Sequence, residues 1–272
     1  MVRALWTGAS GMTAQQTSLD NIANNLSNVN TTGYKKQTTE FSSLLYQKLQ
    51  TKTTDNNGDP KPVIAQVGSG VRVSGLTSIY TQGPMLETGK DTDMCIDGNG
   101  FYRVMMPDGT EGYTRNGSFQ LAIDGDGVTL ATAEGYPVLS SLGEVIHFGA
   151  EYDSSKLAVD QWGNYTYPDD QTGVAMSLGV QIGLAQFNNP SGLDKVSNSY
   201  LKETENSGAA RYEGSDPSLK KSKVITGYLE GSNVQTVDEI VNMIVTQRAY
   251  EMNSKVITAA DEMMQQANNL RS

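Results

Sequence analysis

This sequence predicts an α+β fold, with terminal α-helices pairing as a coiled-coil-like module and an all-β domain inserted between them. Three observations carry that expectation. Near the N-terminus, Leu5, Met12, Leu19 and Leu26 recur every seven residues. Near the C-terminus, Val241, Met252 and Met263 recur every eleven, as do Val245, Val256 and Ala267. Between the ends, short apolar runs alternate with turns rich in Gly, Pro and Asn.

The first element is a helix over residues 2–29. Val2, Ala9 and Ala23 form a companion line beside the leucine seam, and Trp6, Ile22 and Val29 widen it. Gly33, after Asn30-Thr31-Thr32, is a fitting place for the chain to leave the helix. Residues 21–36 hold Asn21, Asn24, Asn25, Asn28 and Asn30 and no acid. Asparagine is a poor helix former, because its amide competes for backbone hydrogen bonds. From Thr7 to Thr32 the single charge is Asp20. Such a neutral face suits contact with neighbouring helices through amide hydrogen bonds; a solvated polar face is the plainer alternative.

Residues 50–62 form a polar, turn-rich connection, and the wider segment 46–70 is expected to act on stiffness rather than folding. Strand-like runs follow at Val71–Leu76, Phe101–Met106, Phe119–Ile123 and Val180–Phe187, separated by Pro107-Asp108-Gly109, residues 124–127 and Asn188-Asn189-Pro190. Residues 206–233 read as a second connection. The last element is a long helix opened by a capping box, Thr236 to Glu239, with Asp238 and Glu239 at the favourable end of the dipole. Its eleven-residue repeat drifts little around a straight helix. At ~1.5 Å per residue it spans about 50 Å. The expected divisions are 1–46 and 234–272 for the helical parts, 95–205 for the β-domain, and 47–94 and 206–233 for the connecting segments.

Composition narrows the function. The chain has 272 residues, 30 acids against 20 bases, and a formal charge of −10, so nucleic acid is not an expected partner. Lys220-Lys221-Ser222-Lys223 reads as a solvated edge. A single Cys95 permits no internal disulfide. No apolar run is long enough to span a bilayer, and no continuous apolar core follows Arg3, so no cleaved secretory signal is expected. Taken alone, these point to a soluble cytoplasmic chain.

Chemistry finds no foothold. His147 is the lone histidine, in an alternating stretch that reads as a strand, and Cys95 reads as a small core residue. Residues 124–127 (DGDG) begin like a calcium loop, but Val128, Thr132 and Gly135 stand where further ligands are needed. No phosphate-binding or dinucleotide fingerprint appears. No catalytic, cofactor-binding or metal site is expected, and no enzyme. Tyr102, Tyr113, Tyr136, Tyr165 and Tyr167 are candidates for outer contacts, ordinary strand residues being the plainer reading.

The terminal stretches resemble one family. "ANNLSNVNTTGYKK" (23–36) and "GYLEGSNVQTVDEIVNMIVTQRAYEMNSKVITAADEM" (227–263) are similar to the paired N- and C-terminal signatures of bacterial flagellar basal-body rod and hook proteins. "DGNGFYRV" and "YTRNGSFQLAIDGDGVTLATAEGYPVL" resemble that family's β-domain. Length and the opening residues are most similar to its distal-rod members; proximal rod and short hook-type members are the nearest alternatives. A secreted coiled-coil adhesin or cell-wall hydrolase is the rival from another class.

The resemblance implies a structural subunit that polymerises helically into a hollow shaft, with paired terminal helices lining the tube and the β-domain outside. It implies other copies of the chain as partners, with proximal rod proteins, hook or hook-junction proteins, the surrounding basal-body rings and the flagellar export gate. It also revises the compartment to the periplasm-spanning basal body, reached through type III export without a cleaved signal. Distal-rod members carry an extra segment near residues 46–70 that hook members lack. Phe41 and Leu45 match the export-gate motif. The expected subunit-interface residues are Leu5, Met12, Leu19, Leu26, Asn21, Asn24, Asn25 and Asn28 in the first helix, and Val241, Val245, Met252, Val256 and Met263 in the last.

Overall fold

The computed structural model describes residues 2–48, 66–125, 127–149, 151–153, 156–168, 175–197 and 199–270. The chain is α+β: one helix at each end and a mostly β middle. It divides into two compact units, one made of residues 1–27, 37–78 and 235–272, the other of 28–36 and 79–234.

The helical unit holds α1 (Val2–Ser27) and α2 (Thr236–Asn269), packed against each other. They run antiparallel: Gly8 lies by Ile257, Gly11 by Asn253, and Asn25 by Glu239. A Cβ at Gly8 would sit 3.0 Å from the Ile257 side chain, and one at Gly11 would sit 2.8 Å from the Asn253 amide. The missing side chains are what let the two backbones approach. Strands Gln37–Ser43 and Val71–Ser78 form a two-stranded antiparallel ladder with a bulge at Glu40/Phe41. A second ladder pairs Tyr46–Lys48 with Gln66–Gly68, so chain leaves and returns at Lys48 opposite Gln66. The turn-rich 50–62 stretch lies outside the described residues.

The α2 start differs from the expected capping box. Its N-cap is Gln235, without a side-chain cap hydrogen bond, and the Glu239 carboxylate accepts a bond from Asn25 Nδ2 at 3.1 Å instead. Likewise α1 ends at Ser27 rather than residue 29.

The β unit is built on a six-stranded antiparallel sheet in the order Asp194–Ser197, Tyr200–Lys202, Glu111–Thr114, Phe101–Met105, Leu184–Gln186, Arg211–Tyr212. Side chains alternate across a strand, and Phe101–Met105 uses both faces. Tyr102 and Val104 enter one core with Met94, Phe119, Leu130 and Ile182, while Phe101 enters a second with Tyr113, Ala185 and Phe187. The expected continuous strand 180–187 is broken: Ala175–Gln181 and Leu184–Gln186 belong to different sheets. A Cβ at Gly183 would lie 2.6 Å from the Ser140 carbonyl oxygen, so only glycine fits this crossing. Residues 206–233, expected as a connection, carry strands of their own. Arg211–Tyr212 edges the large sheet, Lys223–Thr226 pairs with Met94–Asp97, and Tyr228–Glu230 pairs with Met85–Glu87. Short apolar pairs such as Val224 and Leu229, both buried, were too brief to signal strands on their own.

Candidate assembly interface

The asparagines of α1 are employed inside the helical unit. Asn25 is 1% exposed. Its Oδ1 accepts from the Gln37 N–H at 2.9 Å, and its Nδ2 donates to the Gln37 carbonyl at 2.8 Å. Asn21 Nδ2 donates to the same carbonyl at 2.9 Å and to Thr39 Oγ1 at 3.2 Å. Two helix amides thus stand in for a neighbouring strand along the start of Gln37–Ser43. Within the single chain, then, Asn21 and Asn25 bond a strand of their own unit, while Asn24 is exposed and Asn28 half-buried.

The faces buried within the single chain are not those that carry the seven- and eleven-residue repeats. On α1 the buried residues are Gly8, Gly11, Ala14, Asn21, Ile22 and Asn25, while Leu5, Met12, Leu19 and Leu26 are half-buried along one flank. On α2, Glu239, Thr246 and Ala260 are buried, with Asn253 completing a line of residues seven apart. Met243, Ile257 and Met264 are half-buried beside it. At ~100° per residue, the eleven-residue stripe stands roughly a third of a turn away from that line. It points to solvent: Val241 is 53% exposed, Val245 62%, Met252 61%, Val256 48% and Met263 51%. α2 therefore buries polar and small side chains and exposes its apolar ones.

Among the described residues, the buried apolar side chains of the helical unit are only Ala14, Ile22 and Ala260. The β unit holds all the others, including Tyr102, Tyr113 and Tyr165, which are core residues rather than outer contacts. Phe41 is 46% exposed at the strand bulge, and Leu45 is 88% exposed.

The two quoted terminal stretches meet again within the β unit, through residues that the sequence reading, apart from Gly33, did not single out. Gly33, at φ +69°, passes where a Cβ would lie 2.7 Å from the Asn116 nitrogen, and its N–H donates to the Glu230 carbonyl at 2.8 Å. Lys35 Nζ lies 2.5 Å from Glu230 Oε1, and Arg115 Nη1 lies 3.2 Å from Glu230 Oε2. Asn233 Oδ1 accepts from the Lys36 N–H at 2.7 Å, and its Nδ2 donates to the Ile79 carbonyl at 2.8 Å. The available signal was charge and amide content inside two motifs far apart in the chain.

His147 lies exposed in strand His147–Gly149, its Nδ1 3.2 Å from Thr129 Oγ1. Cys95 is buried, and burial pushes its thiol up to about 11, which makes it unreactive at neutral pH. Among the described residues no group of His, Cys, Asp and Glu could hold a metal ion, and no helix is long and apolar enough to cross a membrane.

Comparison with known proteins places this geometry. The chain matches "Flagella basal body rod protein" over residues 5–35, "Flagellar hook protein FlgE/F/G D1 domain" over 95–175, and "Flagellar basal body rod FlgEFG protein C-terminal" over 225–270. It is 43% identical to the flagellar basal-body rod protein FlgG of Borreliella burgdorferi, covering 100% of this chain and 99% of that one. Identity to FlgG of Agrobacterium fabrum is 40%, covering 96% and 97%. It is 30% for the flagellar hook-basal body complex protein FlhP of Bacillus subtilis, over the full length of both. With matches that span both helices and the β middle, the chain belongs to the flagellar basal-body rod family.

Proposed function

We propose that this chain is a structural subunit of the distal rod of the flagellar basal body, polymerising helically with copies of itself into a hollow shaft. The shaft transmits torque and leaves an axial path for exported subunits. One observation carries the reading: among the described residues the helical unit buries almost no apolar side chain of its own, while α2 holds an uncovered apolar stripe from Val241 to Met263. Exposed apolar surface of that extent marks a contact surface. Relatives named FlgG, matched over their full length, support a rod subunit as the particular assembly.

In this reading α1 and α2 form the coiled-coil-like part of each subunit. Leu5, Met12, Leu19, Leu26, Asn24 and Asn28 on α1, and Val241, Val245, Met252, Val256 and Met263 on α2, contact neighbouring copies. Proximal rod proteins, hook or hook-junction proteins and the basal-body rings are the further partners, in the periplasm. The exposed Phe41 and Leu45 are open to an export gate. No catalytic role and no cofactor belong to the proposal.

Electron microscopy of basal bodies from a deletion strain tests it. The expected result is a rod that stops short and carries no hook, with a tag on the restored protein lying between proximal rod and hook. Full-length rods with hooks in the deletion strain would refute the reading. A tag confined to the proximal rod or the hook would assign the chain to those parts instead.

A further inference from the structure

We propose that Met252 and Met263 are sites of oxidative modification, and that converting their thioethers to sulfoxides switches off the contact made by α2. Both side chains stand in water in the single chain, 61% and 51% exposed. They lie eleven residues apart on one line of the helix, with Val245 and Val256 beside them, 62% and 48% exposed. Exposure alone makes the thioethers reachable; the effect on assembly rests on the rod-subunit reading.

The modification takes a peroxide as co-reactant. A sulfur lone pair takes the terminal oxygen, and an S–O bond forms as the O–O bond breaks. The sulfur is oxidised by two electrons while the peroxide is reduced. With hydrogen peroxide, the departing hydroxide picks up the proton of the transferred hydroxyl and leaves as water. Cys95 does not compete, because it is buried and its thiol, pushed up to about 11, forms almost no thiolate at neutral pH. Met94, 1% exposed in the β core, is a shielded thioether in the same chain.

A methionine thioether is flexible and apolar, and adapts to a packed contact. A sulfoxide carries an S–O dipole whose oxygen is a strong hydrogen-bond acceptor, and the Val245 and Val256 side chains beside it offer no donor. Closing a contact over that oxygen strips its water without replacing it. The penalty arises at two points on each α2 and is repeated in every subunit. The same closure shields the sulfurs, since a thioether packed between copies is out of reach of peroxide. Oxidation therefore acts on free subunits and spares assembled ones.

The test treats the purified full-length chain with hydrogen peroxide at neutral pH. Peptide mass spectrometry follows each methionine, and sedimentation follows polymerisation. In the free subunit Met252 and Met263 are expected to oxidise at least about tenfold faster than Met94, and to slow by a similar factor in the polymer. Oxidised chains should polymerise only at a concentration at least about tenfold higher than the same protein reduced. Met85→Leu with Met176→Leu removes the other exposed thioethers and should leave that sensitivity whole. Met252→Leu with Met263→Leu should abolish it, each protein being compared with its own reduced form. Methionine sulfoxide reductases with a thiol should restore polymerisation of oxidised wild type in step with the loss of those two sulfoxides. Oxidation no faster than at Met94, undiminished polymerisation of chains oxidised at both sites, or equal peroxide sensitivity in the Met252→Leu, Met263→Leu protein overturns the proposal. Reduced wild type that does not polymerise overturns the rod-subunit reading and the switch together, a result set apart because no polymer forms before peroxide is added.

Discussion

Replacing Asn25 by alanine strips partners from three groups at once. The Gln37 N–H loses its acceptor, the Gln37 carbonyl loses one of two amide donors, and Glu239 loses the Asn25 amide. Each buried group left short costs about 1–3 kcal/mol. Asn25→Ala should therefore destabilise the helical unit by about 2–4 kcal/mol, read as an earlier loss of helical circular dichroism on heating; a change below about 0.5 kcal/mol would remove Asn25 from this role. Glu111 sets a pH limit in the β unit. Burial pushes its carboxyl up, but the Arg103 hydrogen bonds and charge outweigh that and hold it below its ordinary value of 4.5. A lowered folded value means that the carboxylate stabilises fully above the unfolded value, and that this contribution fades as pH falls through the folded one. Wild type should thus lose melting temperature more steeply below about pH 4.5 than Glu111→Gln; parallel curves would show that the pair contributes nothing.

Helix α2 shows how one element serves two surfaces. Its internal face sets the Ile257 and Asn253 side chains into the room left by Gly8 and Gly11 of α1. Its apolar stripe is left to solvent in the single chain. A carboxylate at Met252, 61% exposed, would stay hydrated in the monomer and change stability little, within about 0.5 kcal/mol. Between subunits the same carboxylate would be desolvated without a partner, at several kcal/mol for every repeat of the contact. Met252→Asp is therefore expected to abolish polymerisation and motility while monomer melting stays unchanged. Rods of normal length built from the variant would show that the stripe is not buried in assembly.

At the scale of the whole chain, apolar burial is very unevenly shared between the two units. The β unit has two hydrophobic clusters, with Tyr102, Phe101 and Phe119 almost wholly enclosed. Among the described residues, the only apolar side chains that the helical unit encloses are Ala14, Ile22 and Ala260. Ordering a residue costs about 1–2 kcal/mol of conformational entropy, so helices with so little apolar burial depend on neighbours for their stability. In dilute monomer, limited proteolysis should trim residues 1–27 and 235–272 and spare a fragment covering 79–234. Amides of α1 should exchange far faster than those of Phe101–Met105. Equal protection of α1 would mean that the helical unit is stable alone.

Much of this protein was legible in its sequence because much of it is local. The two helices, the strands at Phe101–Met105 and Phe119–Asp124, and the turn at Gly33 follow from periodicity and backbone preference between near neighbours. The terminal motifs and the β-middle motifs were enough to indicate the family. Only the tertiary structure decided which helix faces are buried, that Asn21 and Asn25 serve a strand of their own chain, and that Lys35 meets Glu230 across the length of the sequence. The strands between residues 206 and 233 were decided the same way, by partners at Met85–Glu87 and Met94–Asp97. The reason is physical. A seven- or eleven-residue repeat reports where apolar groups lie on a helix, but burial depends on how closely another backbone can approach and which donors it brings. Here the approach is set by glycines and the donors are amides, and neither registers as an apolar stripe.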